Sequence, residues 1–178
     1  MRTSIFLICG LSCAWAQVRL PKTESVTLGN GIRLIMAPRK EIPMVTVRLL
    51  VRGGGESDPV DQTGLSDLTG ALLQRGTDKL DAAGLSGRLD SLGASLVIGT
   101  DAQATTILRE FLAKDLAPAL ELLASAVAHP AFAEGEVKKA LAESIDGVRA
   151  SKDDPGEAIR SYSAALMFGP GHPLTARG

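Results

Sequence analysis

The chain has 178 residues, enough for one domain with a hydrophobic core, and its 45% apolar and 22% charged content is typical of a globular protein. The formal net charge is −1, and only 3% of the residues are aromatic. Nucleic-acid binders rely on basic patches and aromatic stacking platforms, so this composition excludes that class of protein.

The first 16 residues are typical of a cleavable secretory signal. Arg2 precedes an apolar run over residues 5–16 that ends in Ala14-Trp15-Ala16, so we predict cleavage before Gln17. The alternative is a lipoprotein signal acylated at Cys13, although Gly10-Leu11-Ser12 is a poor lipobox. We expect a linker at residues 17–23 and one domain over residues 24–178, incomplete at its C-terminal end.

Both cysteines, Cys9 and Cys13, lie inside the predicted signal, so the mature chain would have no thiol. Such a chain can reside in an oxidising compartment without disulfides, and we expect a periplasmic or secreted protein. No later segment reaches the length of about 18 continuous apolar residues that a spanning helix needs. We therefore expect no membrane association after cleavage.

The first part of the domain is predicted to be rich in strands. Runs at Ser25–Leu28 and Ile32–Ala37 flank Gly29-Asn30-Gly31, and an Asn-Gly pair between alternating runs is typical of a β-hairpin. A longer strand follows at Met44–Val51. Gly53-Gly54-Gly55 ends this strand; because the Lys-Ser/Thr ending of a phosphate loop is absent, we interpret it as a tight turn.

Helical periodicity dominates the remainder of the chain. The predicted elements are helices at Leu65–Gln74 and Ala82–Leu92, strands at Ser95–Gly99 and Thr105–Arg109, and helices at Leu116–Ala128, Glu134–Ala150 and from Asp154-Pro155 to near Phe168. In the helix Glu134–Ala150 we expect the apolar residues Val137, Leu141, Ile145 and Val148 to face inward. Two hairpins with helices between and after them predict an α+β fold, with an antiparallel-rich sheet and helices packed on it.

The segment Gly64–Thr77, GLSDLTGALLQRGT, resembles the zinc-binding helix of the insulinase (pitrilysin) family of inverted-zincin metallopeptidases. In that family, H-x-x-E-H lies between a leading Gly-Leu-small and a trailing Gly-Thr. Histidines at i and i+4 can converge on one zinc ion, and the glutamate between them activates the metal-bound water. On this frame Asp67 and Ala71 replace the histidines and Gly70 replaces the glutamate, so the resemblance implies no catalytic residue here.

The resemblance extends from about Thr23 to Gly178 and implies the N-terminal half-domain of that family. It rests on six segments in the family's order: 28–34, 51–56, 64–77, 132–143, 153–155 and 168–173. Glu143 is similar to the third zinc ligand and Glu136, seven residues earlier, to its supporting acid. The alternative, which the missing histidines favour, is that Glu143 lies on a solvated face and pairs with Lys139 at i,i+4 spacing.

Other candidate residues lack partners at useful spacing. His129 lies at a helix end and His172 in a Gly-Pro loop, and for both we favour a structural or exposed role over metal binding. Serines 66, 86 and 163 have neither a Gly-x-Ser-x-Gly frame nor a neighbouring histidine, which argues against a serine hydrolase. We expect no cofactor.

Three functional hypotheses follow. The resemblance implies a catalytically inactive peptidase homologue similar to the non-catalytic subunit of processing peptidases, either a heterodimer partner of an active zinc peptidase or a domain that binds an extended peptide. The second is a zinc metalloendopeptidase with atypical ligands, including Asp67 and Glu143. The third is a non-functional fragment of a longer peptidase-like chain.

Overall fold

The computed structural model describes residues 22–39, 41–169, 172 and 175. The predicted signal peptide, with its alternative acylation site at Cys13, lies outside these residues, as do positions 17–21 of the predicted linker. The described chain divides into two compact units between Ile42 and Pro43.

The first unit contains the predicted hairpin. Strands β1 (Glu24–Thr27) and β2 (Arg33–Met36) pair antiparallel, with Val26 opposite Leu34. Gly31 closes the connection with a positive φ of 84°, and its N–H donates to the carbonyl of Leu28 at 2.9 Å. The Asn-Gly pair therefore acts as the sequence predicts.

The second unit combines a sheet with helices. Its described strands are β3 (Met44–Arg52), β4 (Ser95–Thr100) and β5 (Ala104–Leu112), which form an antiparallel sheet in the order β3-β5-β4. The helices are α1 (Leu65–Leu72), α2 (Ala82–Ser91), α3 (Leu116–Ala128), α4 (Glu134–Asp153) and α5 (Pro155–Phe168). The α+β prediction is confirmed. None of the helices in the described ranges is long and apolar enough to cross a membrane.

The core lies on one face of the central strand β5. Ile107 is opposite Leu49 on β3 and Ile98 on β4, and it packs with Leu73, beyond the end of α1, and with Leu123 of α3. Leu73, Ile107 and Leu123 are all buried. This packing brings α1 and α3 to the same face of the sheet.

The glycine turn after β3 is hydrogen-bonded to the connection between β4 and β5. The N–H of Gly53 donates to the carbonyl of Gln103 at 3.0 Å, and that of Gly55 to the carbonyl of Asp101 at 3.0 Å. A Cβ at Gly54 would lie 2.1 Å from the Asp101 carbonyl oxygen, so no larger residue fits there. The amides of Gly53 and Gly55 are bonded within the protein, which supports the interpretation as a turn.

The predicted inward face of α4 is largely wrong. Val137 is half-buried, whereas Leu141, Ile145 and Val148 are 47%, 44% and 44% exposed. The residue that α4 buries is Ala140, with 2% of its surface accessible. The apolar stripe instead lines a groove beside α1, because periodicity identifies an apolar face but not what covers it.

Candidate functional site

Helix α1 carries the degenerate motif, and a carboxylate from the preceding loop fixes its first turn. Gly64 precedes the helix with φ 92° and offers no side chain to cap it. Asp58 accepts hydrogen bonds from the N–H of Gly64 at 2.9 Å, from the N–H of Ser66 at 3.0 Å and from the Ser66 hydroxyl. An anionic acceptor at a helix N-terminus satisfies free donors and complements the helix dipole.

The three positions aligned with H-x-x-E-H have different environments. Asp67 is exposed, Gly70 is buried and Ala71 is half-buried. Asp67 lines the groove beside α4. Of the three, only Asp67 has a side chain that can ligate a cation or accept a proton.

Strand β4 fills the space beside Gly70. A Cβ at this position would lie 3.0 Å from Oγ1 of Thr100 and 3.3 Å from Cγ2 of Ile98. The Thr100 hydroxyl is 3.4 Å from the Ser66 carbonyl, to which it donates, and 3.3 Å from the hydroxyl of Thr105. Because Thr and Ile are β-branched and stiff at χ1, a side chain at position 70 has little room.

The two glutamates on α4 are paired with an arginine that sequence analysis did not single out. Nη2 of Arg75 lies 2.5 Å from a carboxylate oxygen of Glu143, and Nη1 lies 3.4 Å from one of Glu136. The expected pairing of Glu143 with Lys139 is therefore replaced by a pairing with Arg75. Glu143 is half exposed, at 51%, whereas Arg75 and Glu136 are 26% and 28% exposed.

A groove of about 940 Å³ lies between α1 and the C-terminal half of α4. Its apolar lining consists of Leu65, Leu68, Leu141, Ile145 and Val148. Charged residues at its walls are Asp58, Asp67, Arg149 and Lys152. Leu65, Leu141, Ile145 and Val148 are each more than two-fifths exposed, so the groove offers accessible aliphatic surface.

The described residues contain no group of three or more His, Cys, Asp or Glu side chains placed to hold a metal ion. His129 is exposed after the end of α3, and its carbonyl accepts a hydrogen bond from the N–H of Asp78 at 2.9 Å. The ring of His172 stacks on Phe168 with centroids 5.0 Å apart. Among the described residues, neither histidine thus belongs to a group of three or more potential metal ligands.

A sequence comparison identifies the family. The profile of the insulinase family, peptidase family M16, matches residues 34–165, well over half of the chain. The chain belongs to the insulinase family. A comparison with curated proteins found no significant match.

Solved structures of insulinase-family proteins share the fold. The inactive domain of an M16 peptidase from Pseudomonas fluorescens superimposes with a TM-score of 0.80 at 23% identity, over 86% of this chain and 37% of that one. A protease from Helicobacter pylori gives 0.77 at 23% identity, over 88% and 38%. Pitrilysin gives 0.76 at 21% identity, over 89% and 17%. The chain thus spans between 17% and 38% of the length of these three proteins.

A buried arginine is a second feature that sequence analysis did not identify. Arg109 of β5 has no accessible surface, and its Nε, Nη1 and Nη2 atoms have no hydrogen-bond partner within the described structure. Burial lowers the pKa of this guanidinium below its usual value, because desolvation penalises the charged form. The sequence did contain a signal for this burial: Arg109 is two residues from Ile107 and from Phe111 on the same strand, so all three side chains lie on the core face.

Proposed function

We propose that this insulinase-family domain is a catalytically inactive peptidase homologue that holds an extended peptide as the partner of an active zinc peptidase. The observation that carries the proposal is the replacement of all three motif side chains, with β4 packed against Gly70. A catalytic zinc needs about three protein ligands and an open position. Asp67 and Glu143 supply at most two carboxylates, and Glu143 is engaged by Arg75.

Two surfaces support peptide binding. The groove between α1 and α4 offers aliphatic side chains flanked by charges of both signs, which suits a peptide with apolar side chains. Strand β4 pairs only with β5 among the described strands, so its other edge has backbone groups to which an extended peptide can add. We further propose that the domain is exported and meets its partner in the periplasm, because residues 1–16 have the pattern typical of a secretory signal.

The inactivity is tested by zinc content and cleavage. The purified chain is incubated with zinc, desalted, and analysed for bound metal and for cleavage of a quenched fluorescent peptide with and without a chelator. We expect substoichiometric zinc and no chelator-sensitive cleavage. Stoichiometric zinc together with chelator-sensitive cleavage would overturn the proposal in favour of a zinc endopeptidase with atypical ligands.

The groove is tested with one variant and a matched control. Ile145→Asp places a charge among the groove's aliphatic side chains, whereas Leu50→Asp makes a similar change on β3 at a residue that is 60% exposed and absent from the groove lining. We expect the first variant to weaken binding of a fluorescent aliphatic peptide about tenfold or more, as for a buried charge lacking a partner, and the second to have little effect. Equal affinities for both variants would remove the groove from the proposal.

A further inference from the structure

Arg75 reaches α4 from a turn that is fixed by the backbone. The N–H of Gln74 donates to the carbonyl of Ala71 at 3.3 Å, and the N–H of Arg75 donates to that of Leu72 at 2.9 Å. These bonds span three residues, so the last turn of α1 is tightened. The next residue, Gly76, has a φ of 122°, so the chain changes direction directly after Arg75.

One guanidinium serves two carboxylates that lie two turns apart on α4. Arg75 contacts Glu136 through Nη1 and Glu143 through Nη2. Arginine can do this because its donors form a rigid planar fork. The only cation that contacts either carboxylate in the described structure thus comes from the turn that directly follows the helix with the degenerate motif.

The position requires positive charge for a second reason. The C-terminal end of a helix carries a partial negative charge from its free carbonyl groups. Arg75 lies at that end of α1, between the helix terminus and the two carboxylates. Without the arginine, three negative features would face one another across the α1–α4 contact.

We propose that Arg75 is a resident cation that takes the place of a metal ion in holding α1 against Glu136 and Glu143. Arg75 lies three residues beyond the last residue of α1, Leu72, so the cation that contacts both carboxylates is attached to the C-terminal end of the helix that carries the degenerate motif. A covalently attached cation makes this contact independent of metal supply. The inference rests on the proposed lack of zinc at the motif.

Four proteins test this inference: the unmodified chain, Arg75→Met, Glu136→Gln with Glu143→Gln, and the combination of all three substitutions. Thermal midpoints are measured with and without Mn²⁺, which prefers carboxylate ligands. In the unmodified background, Arg75→Met should lower the thermal midpoint by about 2–4 °C, the shift that about 1 kcal/mol causes in a domain of this size. In the background with both glutamines, where the carboxylates are already neutral, the same substitution should lower the midpoint by clearly less. Mn²⁺ should raise the thermal midpoint of Arg75→Met and should not raise the midpoints of the other three proteins.

Two further variants calibrate the measurement. Lys138→Met removes the cation from an exposed pair with Glu134, whose side chains are 73% and 82% exposed, and should shift the midpoint far less. Arg75→Lys keeps the charge but loses the fork, so it should recover part of the loss.

Three results would overturn the inference. If Arg75→Met lowers the thermal midpoint equally with and without the two glutamate substitutions, the arginine stabilises the contact through its aliphatic stem and not through its charge. Equal stabilisation of the unmodified chain by Mn²⁺ would mean that the arginine does not satisfy the carboxylates. Absence of any Mn²⁺ effect on Arg75→Met would mean that a cation is not what the contact needs. Zinc analysis of the unmodified chain separates these failures from failure of the proposed inactivity.

Discussion

At the scale of single residues, the degenerate motif differs from a zinc site in more than its missing ligands. Gly70 allows the side chains of Thr100 and Ile98 to approach α1 to within 3.0 and 3.3 Å of where a Cβ would lie. Returning Asp67→His, Gly70→Glu and Ala71→His would therefore create a glutamate with little room. The engagement of Glu143 by Arg75 would oppose the same restoration.

Substitution of Gly70 tests this packing. Gly70→Ala should lower the free energy of unfolding, because overpacking costs about 1–3 kcal/mol, and the roughly 1 kcal/mol gained when alanine replaces a helical glycine offsets only the lower end of that range. Gly87→Ala in α2 is the matched control, since nothing lies within 4 Å of its Cβ, and it should stabilise. Urea unfolding measures both. Stabilisation by Gly70→Ala would show that Thr100 and Ile98 of β4 move aside at little cost in free energy.

Arg109 gives a prediction with a definite pH dependence. Its pKa is lowered in the folded state, so the charged guanidinium favours unfolding, and the penalty is complete at every pH below the folded pKa. Arginine stays protonated at neutral pH, so moderate pH changes do not relieve the penalty. Replacement of a buried ion pair by apolar side chains is often neutral or stabilising by about 1–4 kcal/mol, and an unpaired charge has even less to offset its desolvation, so we expect Arg109→Met to raise the free energy of unfolding.

The Arg109 measurement is urea unfolding at several pH values around neutrality. The gain should be the same at each pH. Arg88→Met, at an exposed position of α2, is the control and should change stability by less than about 0.5 kcal/mol. A large loss from Arg109→Met would show that the guanidinium has a partner, such as buried water, whose removal is costly.

At the scale of elements, local sequence signals predicted most of the secondary structure. The hairpin followed from Asn30-Gly31, helix α3 has the predicted bounds Leu116–Ala128, and α5 begins at the predicted Asp154 cap. These features depend on neighbouring residues. The Arg75–Glu143 pair joins positions 68 residues apart, and the exposure of Ile145 depends on where α1 lies, so periodicity could predict neither.

The start of α1 depends on one side chain outside the helix. Asp58→Ala should remove the acceptor for the N–H groups of Gly64 and Ser66, and hydrogen bonds to charged groups contribute about 1.5–3 kcal/mol. Amide hydrogen exchange should become faster at these two residues first. Asp61→Ala, at an exposed position of the same loop, is the control. Unchanged exchange in Asp58→Ala would show that α1 begins without this cap.

At the scale of the whole molecule, the chain spans less than half the length of the insulinase-family proteins it superimposes on. Helix α5 presents a row of large apolar side chains: Ile159, Tyr162, Leu166 and Met167 are 66%, 73%, 88% and 76% exposed. Soluble proteins rarely expose contiguous apolar surface of this kind unless it binds something. Ile159, Tyr162 and Leu166 recur at three- and four-residue steps, so they form one stripe along the helix, with Met167 next to its end.

This stripe predicts that the purified 178-residue chain associates with itself. Burial of apolar surface contributes about 25 cal/mol per Å², so two such stripes gain free energy by packing together. Light scattering after size-exclusion chromatography should show a mass that rises with concentration, and Ile159→Lys with Leu166→Lys should abolish the rise. Ser161→Lys adds a charge on the opposite side of α5 and should leave it unchanged. A constant monomer mass in all three proteins would mean that the stripe is too small to hold two copies together.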